Sequence, residues 1–395
     1  LDRHVAVAAA LVDRVDAAEV EAVVTAAGRE IRDLLRIMAV HPATRRALGD
    51  EVVSWGERLS SFLVAAVLRA RDLPARWVDA RACIRTNEEH GRAALFMERT
   101  VEETRRTLLP LFTVGEVPVL GGFIGSAETG ATTTLGRGGS DYTAALTGAA
   151  LEAREIQIWT DVAGFLTADP RVVPHARRIK RMSYEEAAEL AYFGAKVLHP
   201  KTIQPAVERE IPVRICSSRA PEAGGTLIGP FVESAPRGVR AIAHKAGVIV
   251  IRITSSRMLG AYGFLRTLFE IFDRHRTVVD VVTTSEVSVS LSLDDTEALP
   301  ALLPELEALG QVEVEAGNAI VCVVGAGLRR STTRTTIKRI RCATSTTRPA
   351  AAASGVSKRS GESRKAIVKC GGELTRHRYA CRSNTLPLPA VTARS

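Results

Sequence analysis

The sequence has no apolar run long enough to cross a lipid bilayer, although 46% of its 395 residues are hydrophobic. It also lacks a secretory signal peptide at its start, because the short apolar stretch from Val5 to Val12 is interrupted at once by Asp13 and Arg14. These absences argue against a membrane or secreted protein. We expect a cytoplasmic protein.

Closely paired cysteines are lacking as well. The six cysteines include no CxxC pair, so the sequence predicts neither a disulfide framework nor a zinc site. We expect buried thiols or thiols in the carboxy-terminal tail, and no dedicated metal centre.

Acidic residues are scarce only at the carboxy-terminal end. Residues 331–395 hold fourteen Lys or Arg against two Glu, whereas the rest of the chain holds 39 basic and 42 acidic side chains. The formal net charge of +9 therefore belongs to the tail and not to the body. A polycationic tail binds nucleic acid without sequence specificity, so we predict no specific nucleic-acid partner.

Three regions differ in pattern. Residues 1–229 alternate helical and strand patterns, which predicts an α/β fold with a mainly parallel sheet. Residues 236–330 follow the order βαββαβ of a ferredoxin-like unit. Residues 331–395 are rich in Ser, Thr, Arg and Ala without periodicity, and we expect them to be disordered because they cannot bury enough apolar surface to offset their ordering entropy.

Hydrophobic periodicity predicts the individual elements. In the first region it predicts helices over 30–48 and 51–71 and strands over 117–120, 155–159 and 211–215. In the second region it predicts strands over 248–253, 278–282 and 287–293, helices over 264–275 and 298–309, and a closing strand or hairpin over 311–324.

A glycine-rich loop follows the strand at 117–120. It runs from Gly121 to Gly139 and enters a helix near Ser140. Glycines let a backbone approach a phosphate closely, and a helix start offers unpaired N–H groups. The loop is not a Walker A motif, because it lacks GK[ST]. The alternative is a tight turn in which Ser140 or Asp141 caps the helix, and the residues alone do not decide between the two.

Two further stretches place polar groups after regular elements. Thr160 and Asp161 end a predicted strand, where open α/β sheets bind ligands, although an ordinary strand–loop junction is the simpler interpretation. Residues 183–186 form a capping box that opens a helix. Lys196 follows that helix, where an ammonium can bind phosphate, and a solvated lysine is the alternative.

Taken in order, these stretches resemble the aspartate kinases, most closely the lysine-sensitive kind. The motifs are SxGE at 54–57, GRGGSDY at 136–142, WTDVxG at 159–164, FGAKVLHP at 193–200, GFLxxxFxIFxxH at 263–275 and TTSEVSVSL at 283–291. The resemblance covers roughly residues 30 to 325. It implies an amino-acid-kinase fold followed by a ferredoxin-like ACT domain. The implied reaction, the first step of lysine, threonine and methionine biosynthesis, transfers the γ-phosphoryl of ATP to the β-carboxylate of L-aspartate.

The resemblance also implies residue roles. Arg137 would bind the α-carboxylate of aspartate and Glu57 its α-ammonium, while Ser140 and Asp141 orient substrate and phosphate. The remaining substrate contacts implied are Gly122 and Phe123. The nucleotide contacts implied are Thr160, Asp161, Phe165, Arg171 and Lys196. Mg²⁺ would be held mainly by phosphate oxygens and water.

Regulation is implied for the ACT domain. An amino-acid effector, lysine, would bind at an interface between two ACT domains of a homodimer. The positions that match are Met258, Gly263, Phe264, Leu265, Asp280, Thr284, Ser285 and Glu286. A position that is often Ser in the family is Ala261 here, so we expect lysine to bind differently in detail. A purely structural dimerisation module is the alternative.

The resemblance has two gaps. The family opens with a strand and loop reading KFGGTSV, whose lysine contacts the phosphates, and no such segment precedes residue 30. We therefore expect this chain to be weakly active or inactive. An intact second ACT unit is also lacking after Gly325, and the tail has the composition of out-of-frame translation or of a disordered extension. A non-catalytic amino-acid-binding subunit and a basic-tailed nucleic-acid binder are the competing functions.

Overall fold

The computed structural model describes residues 1–12, 14–194, 197–198, 200–230, 238–260, 262–294, 297–325, 366–370 and 373–377. The chain groups into two compact units. The first unit contains residues 1–167 and 175–235, and the second contains residues 168–174 and the chain from 236 onwards. The division into a kinase domain (1–229), an ACT domain (236–330) and a tail (331–395) stays a prediction.

Helices and strands alternate along most of the chain. The α-helices are α1 (Asp2–Leu11), α2 (Arg14–Val40), α3 (Arg45–Arg69), α4 (Met97–Thr113), α5 (Gly139–Ala150), α6 (Tyr184–Tyr192), α7 (Gln204–Glu208), α8 (Phe264–Arg274) and α9 (Leu299–Glu307). The strands of the first unit are β1 (Ala75–Val78), β2 (Val117–Leu120), β3 (Ile124–Ser126), β4 (Thr132–Thr134), β5 (Ile156–Thr160), β6 (Arg181–Ser183), β7 (Val213–Ser217) and β8 (Thr226–Gly229). The strands of the second unit are β9 (Ala241–Thr254), β10 (Val281–Thr284), β11 (Ser288–Leu293), β12 (Gln311–Val324), β13 (Ala366–Cys370) and β14 (Glu373–His377).

The amino-terminal helices pack on one another through an apolar cluster. Its buried side chains come from α1, α2 and α3 and include Val20, Val24, Trp55 and Leu59. The predicted boundary between the two long helices was several residues late. A short 3₁₀ turn at Pro42–Thr44 separates α2 from α3, because proline is well accommodated in the first turn of a helix but not in its interior.

The sheets of the first unit are mainly parallel, and the predicted α/β architecture is confirmed. β1 pairs with β2 in parallel, with α4 as the connection between them. β3 and β4 form an antiparallel pair, and a separate sheet has the strand order β5-β7-β8-β6. In that sheet β5 is parallel to β7 and β6 is parallel to β8. The carboxyl ends of β2, β4 and β5 therefore lead directly into the segments predicted to carry chemistry.

The second unit contains the predicted βαββαβ order. Its strands are arranged β10-β11-β9-β12, with antiparallel pairing throughout these four. Helices α8 and α9 contribute the buried side chains of Leu268, Phe272, Leu302 and Leu306 to its core. β12 is one long strand and not a hairpin, and its register with β9 shifts between Glu315 and Ala319.

Two strands lie in the region predicted to be disordered. β13 pairs in parallel with β12, and β14 pairs antiparallel with β13. Ile367 and Val368 are residue types that favour extended structure, and β12 offers its second side for pairing. The predicted disorder of residues 331–395 stays a prediction. The rest of 331–395 lies outside the described residues.

No helix in the described part of the chain is long and apolar enough to span a membrane.

Candidate active site

A cavity of about 510 Å³ lies in the first unit. It is lined from three directions, by helix α3, by the loop after β2, and by the segment that joins β4 to α5. Its lining residues are Glu57, Phe123, Gly136, Arg137, Gly138, Gly139, Ser140 and Asp141. Six positions were predicted from the sequence for catalysis and substrate binding, and five of them therefore meet around one cavity.

The sixth position, Gly122, lies directly beside the cavity. A Cβ atom added there would come within 2.8 Å of the Cα of Ser140. A side chain at this position would therefore push the loop after β2 away from the start of α5. The glycine allows the two walls of the cavity to approach each other closely.

The start of α5 settles an alternative that the sequence left open. The N-cap residue is Gly138, in the left-handed region with φ 76°, and it makes no side-chain cap hydrogen bond. Ser140 and Asp141 thus lie inside the first turn and do not cap the helix. A helix start of this kind, next to a cavity, suits an anion.

The loop after β2 is held against both neighbouring walls. The backbone N–H of Phe123 donates to Thr143 Oγ1 at 3.1 Å, and its carbonyl accepts from the N–H of Leu135 at 2.9 Å. Phe123 itself adopts φ 72°, which is rare for a residue with a side chain. The local strain is thus stabilised by hydrogen bonds to α5 and to the end of β4.

Charge in the cavity is only partly balanced. Burial raises the pKa of the Glu57 carboxyl above its ordinary value, and burial likewise raises the pKa of Asp141. The Arg137 side chain is largely exposed at the same cavity. A ligand that brings an ammonium group to Glu57 and a carboxylate to Arg137 would complement both.

The strand that leads into the Arg137 loop is clamped by residues that the sequence reasoning missed. Thr132 and Thr133 are buried. Thr132 Oγ1 accepts from Arg81 Nη1 at 2.9 Å, and the hydroxyls of Thr133 and Thr86 are 2.6 Å apart. Three consecutive threonines in a buried strand were the available signal, because buried hydroxyls require partners.

The predicted nucleotide residues occupy different environments. Thr160 and Asp161 lie at the carboxyl end of β5, with Thr160 Oγ1 3.3 Å from Asp161 Oδ1, and Asp161 is exposed. Phe165, in contrast, is fully buried, and its backbone N–H donates to Thr226 Oγ1 at 3.0 Å. Its side chain packs in the core, and its nucleotide contact stays a prediction. Lys196 lies outside the described residues.

Arg171 belongs to the second unit and is already engaged. Its Nε and Nη2 donate to the Asp169 carboxylate at 3.1 and 2.7 Å. These bonds from Arg171 lower the pKa of Asp169 to about 2. The guanidinium is otherwise exposed to solvent, so this pairing leaves part of it accessible.

The predicted effector positions lie at two places in the second unit. Met258 belongs to the short 3₁₀ helix Ser256–Met258, and Gly263 caps α8 with φ 85° just before Phe264 and Leu265. Thr284, Ser285 and Glu286 are exposed at the turn between β10 and β11. Ala261 lies outside the described residues.

Asp280 differs from the other effector positions because its carboxylate is already paired. Lys245 Nζ donates to Asp280 Oδ2 at 2.9 Å and also contacts the Asp294 carboxylate. The Asp280 side chain is only 6% exposed. An ammonium of the chain itself thus occupies the acidic group that was predicted to receive an effector.

Comparison with known proteins identifies similarities over most of the chain. The model of the "Amino acid kinase family" matches residues 4–217. Lysine-sensitive aspartokinase 3 of Escherichia coli is 48% identical over 297 residues, which are 73% of this chain and 66% of that protein. The aspartokinase of Geobacillus stearothermophilus is 37% identical over 324 residues, which are 78% of this chain and 76% of that protein.

Solved structures give the same result. E. coli aspartokinase III in complex with aspartate and ADP superposes with a TM-score of 0.69 and 45% identity, covering 79% of this chain and 71% of that one. The complex of the same enzyme with lysine and aspartate gives a TM-score of 0.68 and 46% identity, covering 79% and 70% of the two chains. The chain spans 66% of the length of the E. coli relative and 54% of that of a chloroplast aspartokinase from Arabidopsis thaliana.

Proposed function

Since this chain belongs to the amino acid kinase family and, within it, to the aspartokinases, we propose that it acts in the phosphorylation of L-aspartate by ATP. The observation that carries the proposal is the cavity lined by both Glu57 and Arg137. An α-amino acid presents one cationic and one anionic group on the same carbon, and the cavity offers the Arg137 guanidinium for the anion and the carboxyl groups of Glu57 and Asp141 for the cation. The E. coli relative has been solved with aspartate and ADP.

Substrate recognition follows from the charges. Arg137 would bind the α-carboxylate through its planar fork of N–H donors. Glu57 would accept from the α-ammonium, which offsets the burial that raises the pKa of Glu57 in the empty cavity. Gly122 and Phe123 would form the opposite wall, and Ser140 and Asp141 would orient the β-carboxylate at the start of α5. L-aspartate is the proposed amino-acid substrate, since the E. coli relative has been solved with aspartate.

The chemical step joins two anions. An oxygen of the aspartate β-carboxylate forms a bond to the γ-phosphorus of ATP, and the bond from that phosphorus to the β–γ bridging oxygen breaks. The products are 4-phospho-L-aspartate and ADP. Because the protein contributes little covalent chemistry to such a transfer, positioning and charge neutralisation dominate catalysis. The residues proposed for nucleotide binding are Thr160, Asp161, Phe165, Arg171 and Lys196.

Mg²⁺ accompanies ATP in this proposal. It prefers oxygen ligands and keeps several waters, so phosphate oxygens and water would hold most of its coordination positions. The exposed Asp161 carboxylate at the end of β5 is an oxygen donor of the required kind. The ion would neutralise charge on the phosphates. A cytoplasmic location, where ATP is supplied, is part of the same proposal.

The second unit is proposed to regulate the enzyme as an ACT domain, with lysine as its effector and a homodimer as its assembly. The lysine-sensitive E. coli relative supports this assignment, since it has been solved with lysine bound. Within this unit, β10 lies at one edge of the described sheet, and its residues 282–284 are exposed. Leu265 and Phe269 on α8 are each 39% exposed. An open strand edge and exposed apolar side chains are features of a surface that pairs with a second copy.

The direct test is ATP-dependent formation of aspartyl hydroxamate. Hydroxylamine traps the acyl phosphate, so the signal reports the proposed product. The chain should be assayed as it stands and with a KFGGTSV-type strand and loop joined to its amino-terminal side. Turnover in either form supports the proposal. Silence in both, with the extended form folded and binding ATP, contradicts it, and lysine-induced thermal stabilisation without turnover would then favour a non-catalytic binding subunit.

A further inference from the structure

Asp50, in the second turn of α3, is a buried carboxylate with an unusual number of donors around it. It is 7% exposed. Its Oδ2 accepts from the backbone N–H groups of Gly91 and Thr134 at 2.9 and 3.1 Å, and its Oδ1 accepts from Thr134 Oγ1 at 2.8 Å. His90 Nδ1 lies 3.2 Å from Oδ2. Three of these contacts are made to Oδ2 and one to Oδ1, so most of the acceptor capacity of the carboxylate is used.

These donors belong to the two segments nearest to the Arg137 loop. Thr134 is the last residue of β4 and lies three positions before Arg137. Its carbonyl also accepts from the N–H of Ala93 at 2.9 Å, which ties the loop at 90–93 to the same strand end. At Gly136 an added Cβ would lie 3.2 Å from the Gly91 carbonyl oxygen, so the loop and the Arg137 segment are in close contact.

Helix α3, which carries Asp50, also carries Glu57, the acidic side chain that lines the cavity with Arg137. Glu57 follows Asp50 by seven residues, which is about two helical turns, so both side chains lie on one face of α3. The backbone at Gly121 packs directly on Glu57, where an added Cβ would lie 3.0 Å from the Glu57 Cβ. Helix α3 is therefore the frame from which Glu57 projects and to which Asp50 ties the Arg137 segment.

We propose that Asp50 is a positioning residue that fixes the spacing between Glu57 and Arg137, and through it the affinity for an α-amino acid. This inference rests on the proposed function, because it takes L-aspartate as the ligand. The ammonium and carboxylate of an α-amino acid are attached to one carbon, so their separation is fixed. Two side chains can bind both groups only if their own spacing is held by the surrounding structure.

The test compares variants at Asp50 with a control variant by calorimetric titration with L-aspartate and, separately, with ATP. Asp50→Ala should weaken aspartate binding at least about tenfold and leave ATP binding within about twofold. Asp50→Asn should stay within about threefold of the unaltered protein, because its carbonyl oxygen can accept from both backbone N–H groups while its amide donates to Thr134 Oγ1. If any change at Asp50 only loosened the fold, Asp50→Asn would weaken aspartate binding as much as Asp50→Ala does.

Thr100→Val is the matched control. Thr100 is 1% exposed and accepts from the Arg85 N–H at 3.0 Å, so the variant also loses a buried hydrogen bond of the first unit. It should bind aspartate normally. If Asp50→Ala does not fold, Thr134→Val removes the hydroxyl that donates to Asp50 Oδ1 and should weaken aspartate binding by about threefold or more. Unchanged aspartate affinity in a folded Asp50→Ala or Thr134→Val protein overturns the proposal.

A second readout separates this inference from the proposed function. If the unaltered protein does not bind L-aspartate, the proposed function fails, and amide hydrogen exchange over residues 133–139 then decides about Asp50. Faster exchange of this segment in Asp50→Ala, but not in Thr100→Val, supports the positioning role. Equal exchange in all three proteins overturns it.

Discussion

The predicted ligand-binding carboxyl groups of the first and second units differ in whether the chain itself supplies a cation to them. In the first unit, Glu57 and Arg137 line one cavity, and burial leaves the carboxyl of Glu57 with a raised pKa. In the second unit, the Asp280 carboxylate is bonded to Lys245 of the same chain. Matching motifs indicated ligand residues in both units. Among the described residues, Glu57 thus lacks the internal ammonium that Asp280 has.

The difference is a matter of which charges the chain itself supplies. A buried carboxylate without a cation favours its neutral form, and a ligand ammonium restores the charged form. A carboxylate that already holds an internal lysine gains less from an added ammonium, because the internal cation must first be displaced. We therefore expect a ligand ammonium to bind Glu57 of the first unit directly. At Asp280 of the second unit, a ligand ammonium would have to compete with Lys245.

The largest effect is expected from removing the cation of the cavity. Arg137→Ala should lower kcat/KM for aspartate by roughly 10²–10³, because the α-carboxylate loses its bidentate partner. Arg137→Lys should recover only part of this loss, since an ammonium lacks the planar fork. Steady-state hydroxamate kinetics measure both. Equal rates for Arg137→Ala and the unaltered protein would show that Arg137 does not bind the substrate.

Glu57→Gln is expected to have the next largest effect, a loss of roughly tenfold to a hundredfold in aspartate affinity. The affinity for aspartate should also depend on pH. Because burial raises the pKa of Glu57, its protonation on acidification begins above the ordinary value of 4.5, and aspartate affinity should fall in that range. Titrations on acidification towards pH 4.5 should show this fall in the unaltered protein and not in Glu57→Gln. A similar fall in both would assign the titration to another group.

A smaller effect is expected at the internal ion pair of the second unit. Lys245→Met should destabilise the protein by about 1–3 kcal/mol, because the buried Asp280 loses its cation while Asp294 remains close by. Added lysine should then raise the melting temperature of the variant more than that of the unaltered protein, since it can take the vacated place. An equal shift in both proteins would show that Asp280 does not receive the effector's ammonium.

The smallest effect is expected at the exposed pair Arg171–Asp169. Arg171→Ala should raise the pKa of Asp169 from about 2 towards its ordinary 3.8, as followed by NMR titration. The stabilisation from this lowered pKa is present above the ordinary value and is lost as the pH falls through about 2. At neutral pH the change in melting temperature should be slight, since the guanidinium is exposed to solvent. An unchanged pKa would mean that the pair does not persist in solution.

Hydrophobic periodicity was sufficient for most elements of the second unit and for the strands that precede the motifs. The capping box at Ser183 is present, with Ser183 accepting from the Glu186 N–H at 3.1 Å. Local chemistry of this kind is readable from sequence because both partners lie within four residues of each other. The break at Pro42 was missed because a helical pattern continues on both sides of it.

The residues that escaped prediction interact over long distances in sequence. Asp50 and Thr134 are 84 residues apart, and Lys245 and Asp280 are 35 apart. No local sequence pattern predicts such pairs. The full burial of Phe165 was missed for the same reason, because its neighbour Thr226 comes from a distant strand. Motifs thus identified side chains that reach the cavity, and the fold was needed to identify those that hold them in place.

The most direct test of the account is to titrate the protein with L-aspartate and with two of its fragments. Succinate lacks the α-ammonium, and β-alanine lacks the α-carboxylate. We expect both to bind at least about tenfold more weakly than L-aspartate. Glu57→Gln should weaken the binding of aspartate but not of succinate, and Arg137→Ala that of aspartate but not of β-alanine. Succinate or β-alanine binding as tightly as L-aspartate would contradict the pairing of Glu57 and Arg137 with the two α-groups of the substrate.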